Sequence, residues 1–267
     1  TRARSGHVAL IDLDGVVTDP LTKQANREVL DLLLERLNDG EPIPINTGRS
    51  LSWVIKNVVH PLLEQLDASG YDRSILENLM VVGEKGLVWM TYQSAEGFRA
   101  FSDQRFKLPM AVAQEVQILA ERYDHCCYDH SKRAMVTLEF IGAADQFSDF
   151  ERDKSKIKKE LTELIEQHGL SAEYRVDPTR IAIDIEHISS GKALGAKRIL
   201  EWLTEKGLTP LHFTTVGDSL SDVAMAEFLK ERGFSVTHIH VGDEGDLVSI
   251  AAPVVDTQVT NRKFDLG

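Results

Sequence analysis

Cysteine is nearly absent: the 267-residue chain has two, Cys126 and Cys127, and they are adjacent. A single neighbouring pair makes no disulfide framework. The run His125-Cys126-Cys127-Tyr128-Asp129-His130 is rich in potential ligands, yet it lacks the C-x-x-C spacing that lets two thiolates converge on one zinc ion. The pair therefore reads as ordinary thiols of a reduced intracellular protein. Long apolar runs are missing too. None approaches the roughly 18 residues that cross a bilayer, and no secretory leader is visible. No membrane partner and a cytoplasmic location are the resulting expectations. Thr1 rather than methionine heads the chain, which leaves room for a removed leader or a fused upstream domain. Positive charge is the third shortage, with 30 Lys and Arg against 42 Asp and Glu and a net charge of -12. That excludes non-specific nucleic-acid binding, which needs a basic surface to displace counterions. It does not exclude a small anionic ligand, because a local cluster of cations outweighs the global charge. Repeats and low-complexity stretches are also lacking.

What is present is periodic. His7 to Ile11 is a short apolar run, and Gln24 to Leu37 carries Val29, Leu30, Leu33, Leu34 and Leu37 at helical spacing before Asn38-Asp39-Gly40. Ile43 to Ile45 predicts a second strand. Leu51 to Leu66 predicts a helix interrupted near Pro61, and Leu79 to Thr91 a hairpin turning at Gly83 to Gly86. Helix-strand alternation resumes at Lys192 to Leu203, Leu211 to Val216, Ser221 to Leu229 and Val236 to Val241, with a last short strand at Val254-Val255. Such alternation predicts parallel β-α-β units in a doubly wound sheet. The middle differs: helices at Pro109 to Tyr123 and Asp149 to His168, with strands at Ala134 to Ile141, Ala172 to Val176 and Ile181 to Ile185. The fold expected is α/β, a Rossmann-like doubly wound parallel sheet from residues 1–91 and 187–267, with an α+β cap inserted at 92–186.

Four short elements carry chemistry, and each also has an ordinary structural explanation. Asp12-Leu13-Asp14-Gly15 ends the first strand, where alternation points both carboxylates the same way and glycine permits a sharp turn. Two carboxylates so close repel unless a cation lies between them or one is protonated, although surface turns also produce D-x-D-G. Thr47-Gly48-Arg49-Ser50 offers a hydroxyl and backbone N–H groups suited to a phosphate oxygen, or a plain helix cap. Lys192, opening a helix after Ser189-Ser190-Gly191, opposes the helix dipole unless an anion is near; a solvated lysine is the alternative. Asp218 and Asp222, in Gly217-Asp218-Ser219-Leu220-Ser221-Asp222, suit a hard cation such as Mg²⁺; helix capping by Asp218 or Ser219 is the alternative.

All four follow predicted strands, the end at which open α/β sheets bind ligands. In this order they resemble the four motifs of the haloacid dehalogenase superfamily, over somewhat more than half the chain. The resemblance implies a Mg²⁺-dependent phosphohydrolase. Asp12 would be the nucleophile that forms an aspartyl-phosphate, and Asp14 the acid and base. Thr47, Gly48 and Arg49 would bind the phosphoryl group and Lys192 would offset its charge. The metal would be held by Asp12, the backbone carbonyl of Asp14, Asp218 and, in support, Asp222. Little more than one helix separates Asp12 from Thr47, whereas the whole α+β module lies between Thr47 and Lys192. That placement resembles the branch with a large cap after the second motif, which includes Cof-like phosphatases, phosphatases of trehalose, sucrose and mannosylglycerate phosphates, and phosphomannomutases. Val16 and Ser221 depart from the commonest residues of that branch. A small phosphorylated substrate, such as a sugar phosphate, is implied as the partner of a monomer or homodimer. Candidates for its recognition are Glu84 and Lys85 in the turn before the cap, and Lys132, Arg133, Glu139, Tyr174, Arg175 and Arg180 within it. The alternatives are a phosphomutase and a non-catalytic sugar-phosphate sensor on the same scaffold.

Overall fold

A computed structural model describes residues 6–19, 22–242 and 256–260. The chain divides into two compact units, residues 1–101 with 191–267, and residues 102–190. The first unit opens with β1 (His7–Ile11), α1 (Arg27–Asn38) and β2 (Ile43–Asn46). Asn26 caps α1, its side chain accepting from the N–H groups of Glu28 and Val29. Leu30, Leu33, Leu34 and Leu37 fill one buried stripe of α1. Each stabilises by roughly 1.5–3 kcal/mol relative to exposure.

Next come α2 (Leu51–Val54) and α3 (His60–Ser69), joined by a π turn at Ile55–Val59. The expected interruption near Pro61 takes this form. Proline lacks an N–H and crowds the carbonyl four residues back, and the wider turn accommodates it without ending the helix. His60 accordingly bonds to the carbonyl of Ile55. β3 (Leu79–Gly83), β4 (Val88–Gln93) and β5 (Gly97–Ser102) follow.

The second unit contains α4 (Met110–Ala120), β6 (Cys126–Tyr128), β7 (Val136–Phe140), α5 (Phe147–Gln167), β8 (Tyr174–Pro178) and β9 (Ala182–His187). Its strands form an antiparallel sheet in the order β6-β7-β9-β8. Leu138, Ile183 and Ile185 of the sheet pack with Val112 and Val116 of α4 and Ile157, Leu161 and Ile165 of α5. This is the α+β character expected of the middle of the chain.

The chain re-enters the first unit with α6 (Lys192–Glu205), β10 (His212–Gly217), α7 (Leu220–Glu231), β11 (Ser235–His240) and β12 (Asp256–Val259). The strand expected at Val254-Val255 lies outside the described residues. Among the described residues the large sheet has the order β12-β11-β10-β1-β2-β3-β4-β5. Pairing is parallel from β12 to β3, and β4 runs antiparallel to β3. From central β1 the chain first winds outward through β2 and β3, and later through β10 and β11 on the other side. The carboxyl ends of β1, β2 and β10 therefore meet at a topological switch point, where doubly wound sheets place their ligands.

Candidate active site

Asp12 extends β1 by one step, its N–H donating to Val216 O at 2.8 Å. Leu13 is fully buried between Asp12, itself buried, and the more exposed Asp14. Gly15 then takes φ +72, and a Cβ there would run into the Asp218 carboxylate. The Asp-x-Asp-Gly turn thus needs glycine both for its backbone and for the approach of β10. Thr18 closes the turn by donating from its hydroxyl to Leu13 O at 3.1 Å.

Lys192 starts α6 and points its ammonium into the middle of the site. It donates to Asp12 Oδ1, lies 2.6 Å from Asp222 Oδ1, and donates to Asn46 O at 2.8 Å. Asp222 is fully buried, and its other oxygen accepts from the Ser219 N–H and hydroxyl at 3.1 and 2.7 Å. Ser219 is thus the N-cap residue of α7, and Asp222, third in the helix, completes a capping box with it while facing Lys192. Thr47 is fully buried at the end of β2, and its hydroxyl accepts from the Arg49 N–H at 3.2 Å. Ser50, not Thr47, caps α2 by accepting from Trp53 N–H at 3.2 Å.

One ammonium cannot neutralise three carboxylates. Burial raises the pKa of Asp12, Lys192 lowers it and Asp222 raises it again, leaving it at about 7. Asp218 is pushed up to about 6 by burial, then by Asp222 and Asp14. Burial disfavours the ammonium of Lys192, but Asp12 and Asp222 outweigh it and its pKa lies above the usual lysine value. Carboxylate oxygens of Asp12, Asp218 and Asp222 all lie within 4.8 Å of one another. An all-oxygen donor set with surplus negative charge fits a hard divalent cation such as Mg²⁺.

The Asp14 side chain is held apart from that cluster. Arg49 grips it with Nε at 3.0 Å from Oδ2 and Nη2 at 2.9 Å from Oδ1, and Lys23 Nζ lies 3.9 Å away. Arg49 also stacks 4.6 Å over the Trp53 ring.

Glu84 and Lys85 lie beside the Thr47 segment through their backbones. Glu84 N–H donates to Arg49 O at 3.0 Å and Lys85 N–H to Thr47 O at 3.1 Å. Both residues have left-handed backbones, φ 47 and 55. Each such non-glycine residue costs about 1–3 kcal/mol.

In the second unit, Lys132 and Arg133 occupy the loop between β6 and β7, Glu139 lies on β7, and Arg180 follows β8. Tyr174 donates its hydroxyl to Lys107 O at 2.9 Å, and Arg175 grips Glu186 Oε1 at 2.9 and 2.6 Å. Those two side chains brace their own unit. Cys126 and Cys127 are free thiols, and burial raises Cys126 to about 12, far from the thiolate a metal requires.

Two residues of the site had no signal of their own in the sequence. Asn46 receives the Lys192 ammonium on its carbonyl and donates from Nδ2 to Lys192 O at 2.9 Å. It precedes Thr47 directly, and only its polarity at the end of an apolar strand marked it. Lys23, in the loop before α1, carries no pattern at all.

No family model and no curated protein matches the chain in sequence. Solved structures do match. Trehalose-6-phosphate phosphatase of Aspergillus fumigatus superposes on 95% of this chain and 88% of its own, with a TM-score of 0.55 and 19% identity. The C-terminal domain of the trehalose synthase regulatory protein of Candida albicans covers 97% and 92%, with a TM-score of 0.64 and 11% identity. ATP-bound IMP-nucleotidase of Plasmodium falciparum covers 80% of this chain and 53% of its own, with a TM-score of 0.53 and 13% identity. At such identities the likeness speaks for the fold, and the architecture built above from β1 outward is the haloacid dehalogenase-type fold.

Proposed function

We propose that this chain is a Mg²⁺-dependent phosphomonoester hydrolase acting on a sugar phosphate or a similar small phosphorylated metabolite. The observation that carries the reading is Lys192 ion-paired with both Asp12 and Asp222 and donating to Asn46 O, with Asp218 completing a carboxylate cluster. A lone ammonium among buried carboxylates is arranged to receive further positive charge and an anionic group. Asp12 attacks phosphorus as the ester P–O bond breaks, and the leaving oxygen takes a proton from Asp14 and departs as the alcohol. Water, giving its proton to Asp14, then cleaves the aspartyl-phosphate to free phosphate and Asp12. Lys192 keeps Asp12 oriented and offsets charge on the phosphoryl oxygens. Asp14 is the acid and base: its side chain is 29% exposed, so it exchanges protons with solvent as the 8% exposed Asp12 does not. Arg49 fixes its orientation. Thr47 and the Gly48 backbone bind the phosphoryl oxygens. Mg²⁺ would be held by Asp12, Asp218, Asp222 and the Asp14 carbonyl, and would supply charge neutralisation, which dominates phosphoryl transfer. Arg133 and Arg180 contribute to recognition of the rest of the substrate.

Ligand binding without turnover is the second reading, favoured by the likeness to a regulatory domain. The intact set of Asp12, Asp14 and Lys192 places hydrolysis ahead of it. The test is phosphate release from a panel of sugar phosphates, nucleotides and an aryl phosphate, with Mg²⁺ or with EDTA. Turnover is expected only with Mg²⁺, and Asp12→Asn is expected to lower it by at least about 10³-fold, as loss of a covalent nucleophile does. A folded, Mg²⁺-binding wild type that hydrolyses nothing on the panel would sink hydrolysis and favour the binding-only reading.

A further inference from the structure

The described residues with left-handed backbones that are not glycine are Lys23, Glu84 and Lys85, and two of the three are consecutive. Gly86 continues the excursion at φ +94. The polar backbone groups of this turn are directed at the active site's own backbone. Glu84 N–H donates to Arg49 O at 3.0 Å, Lys85 N–H donates to Thr47 O at 3.1 Å, and Lys85 O accepts from Gly191 N–H at 2.8 Å. One residue, Lys85, therefore links the segment carrying the Thr47 hydroxyl to the residue immediately before Lys192.

The linkage has a directional consequence. In a trans peptide the carbonyl of one residue and the N–H of the next point opposite ways. Holding Thr47 O against Lys85 turns the Gly48 N–H away from the turn, and holding Arg49 O against Glu84 does the same for the Ser50 N–H. The turn also sits tightly on α6. A Cβ at Gly86 would come within 2.7 Å of the Gly195 backbone nitrogen, and one at Gly195 would run into the Asn46 side chain. Turn, helix and β2 end are in contact with no side chain of these glycines between them. A right-handed or extended backbone at 84 and 85 would swing the Lys85 N–H and carbonyl away from Thr47 O and the Gly191 N–H and release those two bonds.

We propose that Glu84 and Lys85 are positioning residues, a left-handed turn that holds the Thr47-Gly48 peptide and the start of α6 in the geometry that receives a phosphoryl group. This rests on the phosphohydrolase reading above. It differs from the expectation that Glu84 and Lys85 bind substrate with their side chains: what matters is the backbone region they occupy.

The series Lys85→Gly, Lys85→Asn and Lys85→Val separates these roles. Glycine and asparagine tolerate the left-handed region, whereas β-branched residues resist it. The readouts are the Kd for inorganic phosphate by calorimetric titration in saturating Mg²⁺, the Kd for Mg²⁺, and Tm. The glycine and asparagine variants are expected to keep phosphate affinity within about threefold of wild type, and the valine variant to lose at least about tenfold, following backbone preference. Affinity for Mg²⁺, held by Asp12, Asp218 and Asp222, should change by less than about threefold in all. Lys85→Thr, β-branched but smaller, takes the place of valine if that variant does not fold. Equal losses in all variants would assign the role to the lysine side chain and overturn the proposal. So would a folded valine or threonine variant with a lower Tm and wild-type phosphate affinity, since that is a merely structural role. A wild type that binds Mg²⁺ but no phosphate would fail at the functional reading itself, before any variant is compared.

Discussion

Lys192 is where the residue scale is most informative. Its side chain is 9% exposed, and its ammonium meets two carboxylates and a carbonyl. Asp12 and Asp218 are held above their ordinary pKa because burial and the neighbouring carboxylate charges exceed what the Lys192 ammonium offsets. Such a site is built at the expense of the metal-free protein's stability. Asp218→Asn is therefore expected to raise the Tm of protein kept in chelator, and to remove the Tm increase that Mg²⁺ gives wild type. Thermal unfolding of both proteins with and without Mg²⁺ decides it; a lower metal-free Tm for the variant would contradict the electrostatic account. Asp12, Asp14, Thr47, Lys192, Asp218 and Asp222 were legible as single letters because carboxylates, a hydroxyl and a lysine each sat at a strand end. The partnership of Asp14 with Arg49 rather than with the carboxylate cluster was not, since side-chain direction within a turn leaves no trace in spacing.

At the scale of elements, most of the structure was written in periodicity. The leucine stripe of α1 and the alternation of the sheet strands appear where apolar spacing puts them. Helix α1 also shows how capping acts separately from chemistry. Asn26→Ala removes acceptors for two N–H groups and is expected to lower stability by about 1 kcal/mol. Denaturant unfolding should show that loss, while turnover at saturating substrate stays at the wild-type value. A larger fall in turnover than in stability would mean that α1 positions the site. The π turn at Ile55–Val59 was not legible, because a helix can yield to Pro61 by breaking, kinking or widening, and packing chooses among these. Strand β5 was missed for a related reason. Gly97–Ser102 is half exposed and weakly patterned, so its membership of the sheet is decided by the neighbouring β4.

The whole molecule adds a constraint that no single element carries. His238 and His240 alternate on β11 and are both fully buried. Thr215 Oγ1 lies 2.8 Å from His238 Nδ1. Burial lowers the pKa of His238 to about 4, opposed by Asp222 and aided by His240. The unfolded chain therefore binds a proton at His238 at a higher pH than the folded one. Stability is full above the ordinary histidine pKa of 6.5 and falls as pH drops towards 4. Metal-free His238→Gln should lose less stability than wild type between pH 6.5 and 4, in Tm measured across that range; parallel curves would refute the assignment.

The sequence by itself determined the α/β class, the strongly patterned strands and helices along the chain, and the residue types at four strand ends, because hydrophobic period and turn chemistry are local properties. Tertiary structure alone decided that β10 lies beside β1, so that Asp218 and Asp222 meet Asp12. It also decided that Glu84 and Lys85 take a left-handed backbone which short-range preference disfavours. Proximity between distant segments and strain held by surrounding contacts are properties of the packed whole, where many neighbours outweigh the preference of any one residue.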